Sequence, residues 1–246
     1  MKKMTQNRRR SRRKAGLVPL GRALSKLGVL SRSQAATAIL DGRVRVNGRV
    51  ETRPAALVEP ERAQFLVDGE PASPAVWRMI LFHKPRGVVT TRSDPEGRRT
   101  IYDVLGEPGR GLIAVGRLDL ATSGLLLLTT DTRLADWMTH PSHAVPRLYA
   151  VTVRGRIVET DIADLPGRAT LRKASARESH LLVELTEGKN RQVRRMFEAI
   201  GHEVTALKRV KLGGLDLGRL EPGQHRELSA REIVQAFPGA PLRAVR

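Results

Sequence analysis

GRLDLATSGLLLLTTD, residues 116–131, sets four consecutive leucines (Leu125–Leu128) behind a glycine-flanked segment with one carboxylate, Asp119. The leucine run reads as a buried strand. Gly116 and the small residues Ala121–Gly124 predict a tight bend at its entrance, and Asp is at home in turns. Asp119 is therefore either a plain turn residue or a reactive group held at the edge of that strand. The stretch alone does not decide between them.

Working outward, the segments MILFHKP, LIAVG, LYAVTVRG, LLVELTEG and ALKRVKLGGL are β-rich, with helices expected near 131–139, 159–165 and 190–200. Strands and helices interleave without regular βαβ spacing, which predicts an α+β fold with a mixed or antiparallel sheet and flanking helices. No internal repeat is present.

The chain before this region has a different texture. Residues 1–16 carry eight basic side chains and no acidic one, so self-repulsion predicts a disordered, phosphate-binding arm. Residues 17–69 read as a small α/β module. Leu20, Leu24 and Leu27 recur at helical spacing, and a second helix is expected from a capping pattern at Ser31 and Gln34. Its apolar side is read as Ala35, Ala36, Ile39 and Leu40, with Gly42 as its stop. RVRVNGRV then alternates Arg and Val through Asn47-Gly48, a hairpin signal with Val44 and Val46 on one face and Arg43 and Arg45 on the other. Residues 70–78 read as a linker, 79–237 as the main domain and 238–246 as a loose tail.

Charge narrows the partners. The 246 residues hold 44 Lys and Arg against 25 Asp and Glu, a net charge of +19. Without the arm, 36 basic residues still face 25 acidic ones. Nucleic acid is the expected partner of so basic a chain, ahead of an anionic membrane surface. No apolar run approaches the ~18 residues needed to span a bilayer. The absence of cysteine excludes disulfides and thiolate chemistry and fits a cytoplasmic location. Two Trp, two Tyr and four Phe are too few for wide stacking platforms.

EGKNRQVRRMFEAIG (187–201) predicts a helix capped by Asn190, with Val193, Met196, Phe197 and Ile200 facing the core. Arg194 flanks that buried face, while Arg191 and Arg195 reach toward solvent or phosphate. For an isolated helix a solvated basic face is the plain reading. A basic residue beside a core wants a carboxylate partner, however, and Asp119 is the natural one. Tyr149, at the start of a strand, is by itself ordinary packing, and HKPRGVV (83–89) is a Pro-Gly turn read as architecture. His140 and His143 lack a third ligand, so no metal site is expected. No phosphate-cradling GxxxxGK[ST] loop occurs.

Taken in order, HKPRGVVTTRSDPEGRRTIYDVL, GRLDLATSGLLLLTTD, RLYAV and EGKNRQVRRM resemble the RsuA-like family of ribosomal RNA pseudouridine synthases, in its large-subunit branch. LGRALSKLGVLSRSQAATAILDGRVRVNGRV and the later FLVDGE resemble an αL-type RNA-binding module shared with a small-subunit ribosomal protein. The resemblance implies a pseudouridine-synthase fold with Asp119 as catalytic aspartate, Tyr149 as active-site tyrosine and Arg194 as its basic partner. It implies substrate contacts from Leu207 beneath the base and from Arg117, Lys189, Arg191 and Arg195. In the module it implies RNA contacts from Ser31, Arg32, Ser33, Gln34, Arg43 and Arg45. Arg147 and Lys189 stand where the family often has Lys and Arg, respectively. Isomerising uridine oxidises nothing and releases no group, so neither cofactor nor metal is expected. The expected partner is ribosomal RNA, as substrate, with the large subunit ahead of the small, and the enzyme is expected to be a monomer. A non-catalytic RNA-binding or ribosome-assembly factor is the alternative; it explains the charge but gives no reason for Asp119, Tyr149 and Arg194 to occur together.

Overall fold

The computed structural model describes residues 16–30, 32–72 and 76–242, and the chain divides into two compact units, 1–75 and 76–246. Most of the basic arm and the Ser31 cap lie outside the described residues.

The small unit opens with helix α1 (Leu20–Lys26) and helix α2 (Arg32–Leu40). Strands β1 (Val44–Val46), β2 (Arg49–Val50), β3 (Phe65–Val67) and β4 (Glu70–Pro71) form an antiparallel sheet in the order β2-β1-β3-β4. Asn47 and Gly48 both have positive φ and close the β1–β2 hairpin in two residues, as its register requires. Leu20, Leu24, Ala35, Ile39, Val44, Phe65 and Val67 share one core. The apolar face of α2 differs from the sequence reading. Ala38 is buried and Leu40 is 65% exposed, because the chain turns off the helix at Gly42, with φ +70. Glu70 and Pro71, read as linker, pair with β3 instead.

In the large unit, strand β5 (Met79–Lys84) is followed by helix α3 (Ile101–Leu105), strand β6 (Ser123–Thr129) and helix α4 (Thr132–Thr139). Then come strands β7 (Arg147–Arg154), β8 (Arg168–Ala174) and β9 (Glu178–Leu185), and helix α5 (Gln192–Ala199). Strand β10 (Val204–Leu212), strand β11 (His225–Glu227) and helix α6 (Ala230–Ala236) complete it. The main sheet runs β8-β9-β7-β10-β6-β5-β11. Its pairings are antiparallel apart from β10 with β6, which run parallel. This is the mixed α+β sheet that the interleaved pattern predicts.

The leucine run is apolar throughout because β6 is covered on both faces. Leu125 and Leu127 pack with α4 and α6, while Leu126 and Leu128 pack with Ile101, Leu105 and Leu112. A third core joins β7, β9 and α5 through Val151, Val183, Val193 and Phe197. Ala240 and Leu242 pack against the first core, so the start of the supposed loose tail is held down. No helix among the described residues is long and apolar enough to cross a membrane.

Candidate active site

Three elements of the large unit converge on a cavity of about 530 Å³, within the ~300–1,000 Å³ usual for small-ligand sites. The bend before β6 brings Arg117, Leu118, Asp119 and Thr122; β7 brings Arg147 and Tyr149; β10 brings Leu207 and Arg209. The turn into α5 closes one side with Lys189, Asn190 and Arg191.

The bend is built from main-chain bonds. Thr122 N donates to Asp119 O at 3.0 Å, and Gly87 N donates to Leu120 O at 2.9 Å. Leu118 is buried in the core that holds β6, while Asp119 is half-buried. The Asp119 carboxylate makes no hydrogen bond or contact ion pair among the described residues. At the far end of the bend, Gly124 has φ +111, and a Cβ there would run into the Arg209 backbone. That close approach is what permits the parallel pairing of β6 with β10.

Lys84 is the residue that sequence reading passed over. Its ammonium is fully buried and donates to the carbonyl oxygens of Pro85, Asp119 and Thr122 at 3.0, 3.1 and 2.9 Å. Burial pushes its pKa down to about 8, against the opposing pull of the Asp119 charge. Its one signal was a charged residue ending the apolar run MILFHK just before a proline.

Arg194 is placed differently from the contact ion pair expected of it. Its Nη1 donates to Val204 O at 2.8 Å and its Nη2 to Ala121 O at 3.1 Å. It thus ties α5 and the entrance of β10 to the bend, and it feels the Asp119 charge without an N–O contact within 4 Å. Burial and the neighbouring Arg191 push its pKa down, and Asp119 opposes them. The geometry explains the difference: the main chain of the bend, not the carboxylate, lies over the guanidinium.

Tyr149 is half-buried at a seam, packed against two of the three large-unit cores. The β7–β10 register sets it directly across from Arg209, and Val151 across from Leu207. Arg117 and Arg191 are exposed at the cavity mouth. Lys189 lines it as well, paired to Glu187 at 2.8 Å. Arg195 is exposed but does not line the cavity. The cap of α5 is Arg191, in a left-handed conformation with no side-chain cap, not Asn190. In the small unit, Arg32, Ser33 and Gln34 are exposed at the start of α2. Arg43 forms an ion pair with Asp68, and Arg45 donates to Gly48 O at 3.2 Å.

With this geometry in view, residues 78–199 match the family model for RNA pseudouridylate synthases, and residues 18–62 match the S4 domain. The chain is 35% identical to an uncharacterized RNA pseudouridine synthase of Aquifex aeolicus, over 93% of this chain and 97% of that one. It is 40% identical to a ribosomal large subunit pseudouridine synthase B of Pseudomonas aeruginosa, over 88% of this chain and 62% of the other. A protein of that same name from Bacillus subtilis is 36% identical, over 87% and 93% of the two chains. A crystal structure of a pseudouridylate synthase superposes with a TM-score of 0.60 at 30% identity, covering 89% of this chain and 99% of that one. The chain belongs to the RNA pseudouridine synthase family and carries an N-terminal S4 domain.

Proposed function

We propose that this chain converts one specific uridine of ribosomal RNA to pseudouridine, with large-subunit RNA as the substrate, and that Asp119 is its catalytic carboxylate. The single observation that carries the reading is the convergence of Asp119, Tyr149 and Leu207 on one cavity. The large-subunit preference is supported by the names that the Pseudomonas and Bacillus relatives carry.

The reaction breaks the uridine N1–C1′ bond and joins C5 to C1′. An unbonded carboxylate at a fixed bend is suited to act at the ribose or the base as nucleophile or proton acceptor. Lys84 and Arg194 surround it with positive charge while bonding only the main chain, so the carboxylate oxygens stay available. Tyr149 presents a half-buried ring on which the uracil stacks, with Leu207 as apolar floor. The target base must leave its stack at a cost of a few kcal/mol, which RNA contacts elsewhere offset. The S4 unit and the basic residues at the cavity mouth, Arg117, Lys189 and Arg191, serve that purpose.

Asp119→Asn tests the reading. Its fold and RNA affinity should match the parent chain, while pseudouridine formation in ribosomal RNA disappears. Full activity in this variant would refute the assignment. Mapping pseudouridines in ribosomal RNA from cells with and without the protein identifies the target uridine, and a loss confined to small-subunit RNA would refute the large-subunit preference.

A further inference from the structure

Of the five buried side-chain polar atoms that lack a partner among the described residues, two belong to residues that line this cavity, Thr122 Oγ1 and Arg209 Nη2. Native proteins satisfy nearly all such groups, so an orphan in a reaction cleft points to a ligand that completes it. Arg209 is the charged one that lines the cavity. It is 4% exposed, its Nε donates to Leu125 O at 2.7 Å, and among the described residues its Nη2 has no acceptor and no carboxylate pairs with it. Arg147, 9% exposed, also lines the cavity, and it spends its Nη1 on the carbonyl oxygens of Val145 and Thr186. Two buried guanidinium groups without acid partners repel each other and are costly to retain unless a negative charge forms between them.

That charge is supplied by the reaction. When N1–C1′ breaks, the bonding electron pair goes to the uracil, which becomes an anion delocalised over N1, O2 and O4. The pair returns to the ribose when C5 bonds C1′, C5 then loses its proton and N1 gains one. We propose that Arg209 is the leaving-group donor, its guanidinium stabilising the uracil anion through a carbonyl oxygen of the base, with Arg147 adding a second positive charge. The inference rests on the function proposed above. Its geometric support is the register: Arg209 stands directly opposite Tyr149, where cross-strand side chains are neighbours on one face. A base stacked on that ring has an edge beside the adjacent strand, which carries Arg209.

The test uses the full chain and two substrate RNAs, one with uridine at the target position and one with 5-fluorouridine. Fluorine makes uracil a better leaving group, so a residue that stabilises leaving-group charge matters less. On 5-fluorouridine RNA, C5 carries fluorine in place of the proton, so the reaction sequence ends after the C5–C1′ bond forms. The readout on both RNAs is therefore single-turnover loss of the target nucleoside, followed by chromatography and mass spectrometry of nuclease digests. On uridine RNA, Arg209→Met should be slower by roughly 100-fold, with unchanged RNA affinity, and the defect should shrink clearly on 5-fluorouridine RNA. An equal defect on both RNAs makes Arg209 a structural strut and overturns the inference. Weakened RNA binding with unchanged chemistry assigns it to a backbone phosphate and overturns it too. Arg209→Lys keeps a cation and should show the same dependence in a milder form, which keeps the test decisive if the methionine variant fails to fold. Asp119→Asn, run alongside, separates failure of this inference from failure of the catalytic assignment, since it should be inactive on uridine RNA whatever Arg209 does.

Discussion

The Lys84 ammonium meets Asp119 through the main chain, donating to its carbonyl oxygen at 3.1 Å while leaving its carboxylate untouched. One buried cation therefore sets the position of the acid and enhances its local field without consuming it.

Lys84→Met should leave three carbonyl oxygens at the bend without their donor, a loss of about 2–4 kcal/mol, and reduce turnover more than RNA affinity. The pH dependence has a defined sign. Burial lowers the folded-state pKa from 10.5 to about 8, so between these values the unfolded chain holds the proton more tightly than the native one. The burial penalty is fully present below pH 8 and is relieved as pH rises toward 10.5. Urea unfolding of the parent chain should accordingly show stability rising across that window, relative to Lys84→Met. A flat difference would show that Lys84 does not titrate there.

Arg194→Lys tests bracing of the bend. A lysine cannot span the Val204 and Ala121 carbonyls with a planar fork. The bend should drift, and a displacement of order 1 Å costs roughly 100-fold in rate. Single-turnover kinetics should register the loss while urea midpoints move little. If Arg194→Lys retained the parent rate, charge alone would be what the site needs from this position.

Gly124→Ala probes the parallel pairing of β6 with β10. The added Cβ meets the Arg209 backbone and the φ of +111 is unfavourable for alanine. Destabilisation of roughly 3 kcal/mol or more is expected. Gly48→Ala, with open space around it and φ +82, should cost only about 1 kcal/mol. Urea denaturation of the two variants compares them directly, and equal costs would mean that strain, not the close approach, governs position 124.

Much of this was legible before the structure. Periodicity located α4, α5 and most of the strands of the main sheet, and the asparagine-glycine pair located the β1–β2 hairpin. Strand β8 escaped notice because ATLRKA alternates with few large apolar residues. Helix α6 was missed as well, although Ser229 and Glu232 form a capping box. Motif order put Asp119, Tyr149 and Arg194 at one site; Asp119 and Tyr149 line the cavity together with Leu207, whereas Arg194 does not line it and bonds the main chain of the bend. What sequence could not give was the partner of each cation. Arg194 and Lys84 bond carbonyl oxygens, and hydrogen bonds to main-chain atoms leave no complementary residue in the sequence. Arg43 does have one, Asp68, but it lies 25 residues away on a neighbouring strand turn. Arg209 did leave a trace: in ALKRVKL the alternation that buries Leu207 also buries the arginine two positions on.

Strand β6 carries the bend into the interior with a different core against each of its faces. A shortened side chain at Leu126 and one at Leu127 therefore lie in separate packing environments, and their stability costs should simply add. Both nevertheless act on the same few residues ahead of Ser123. Substitutions that are independent for folding become coupled for catalysis, so mutational tolerance along this strand is narrower for a working enzyme than for a folded one.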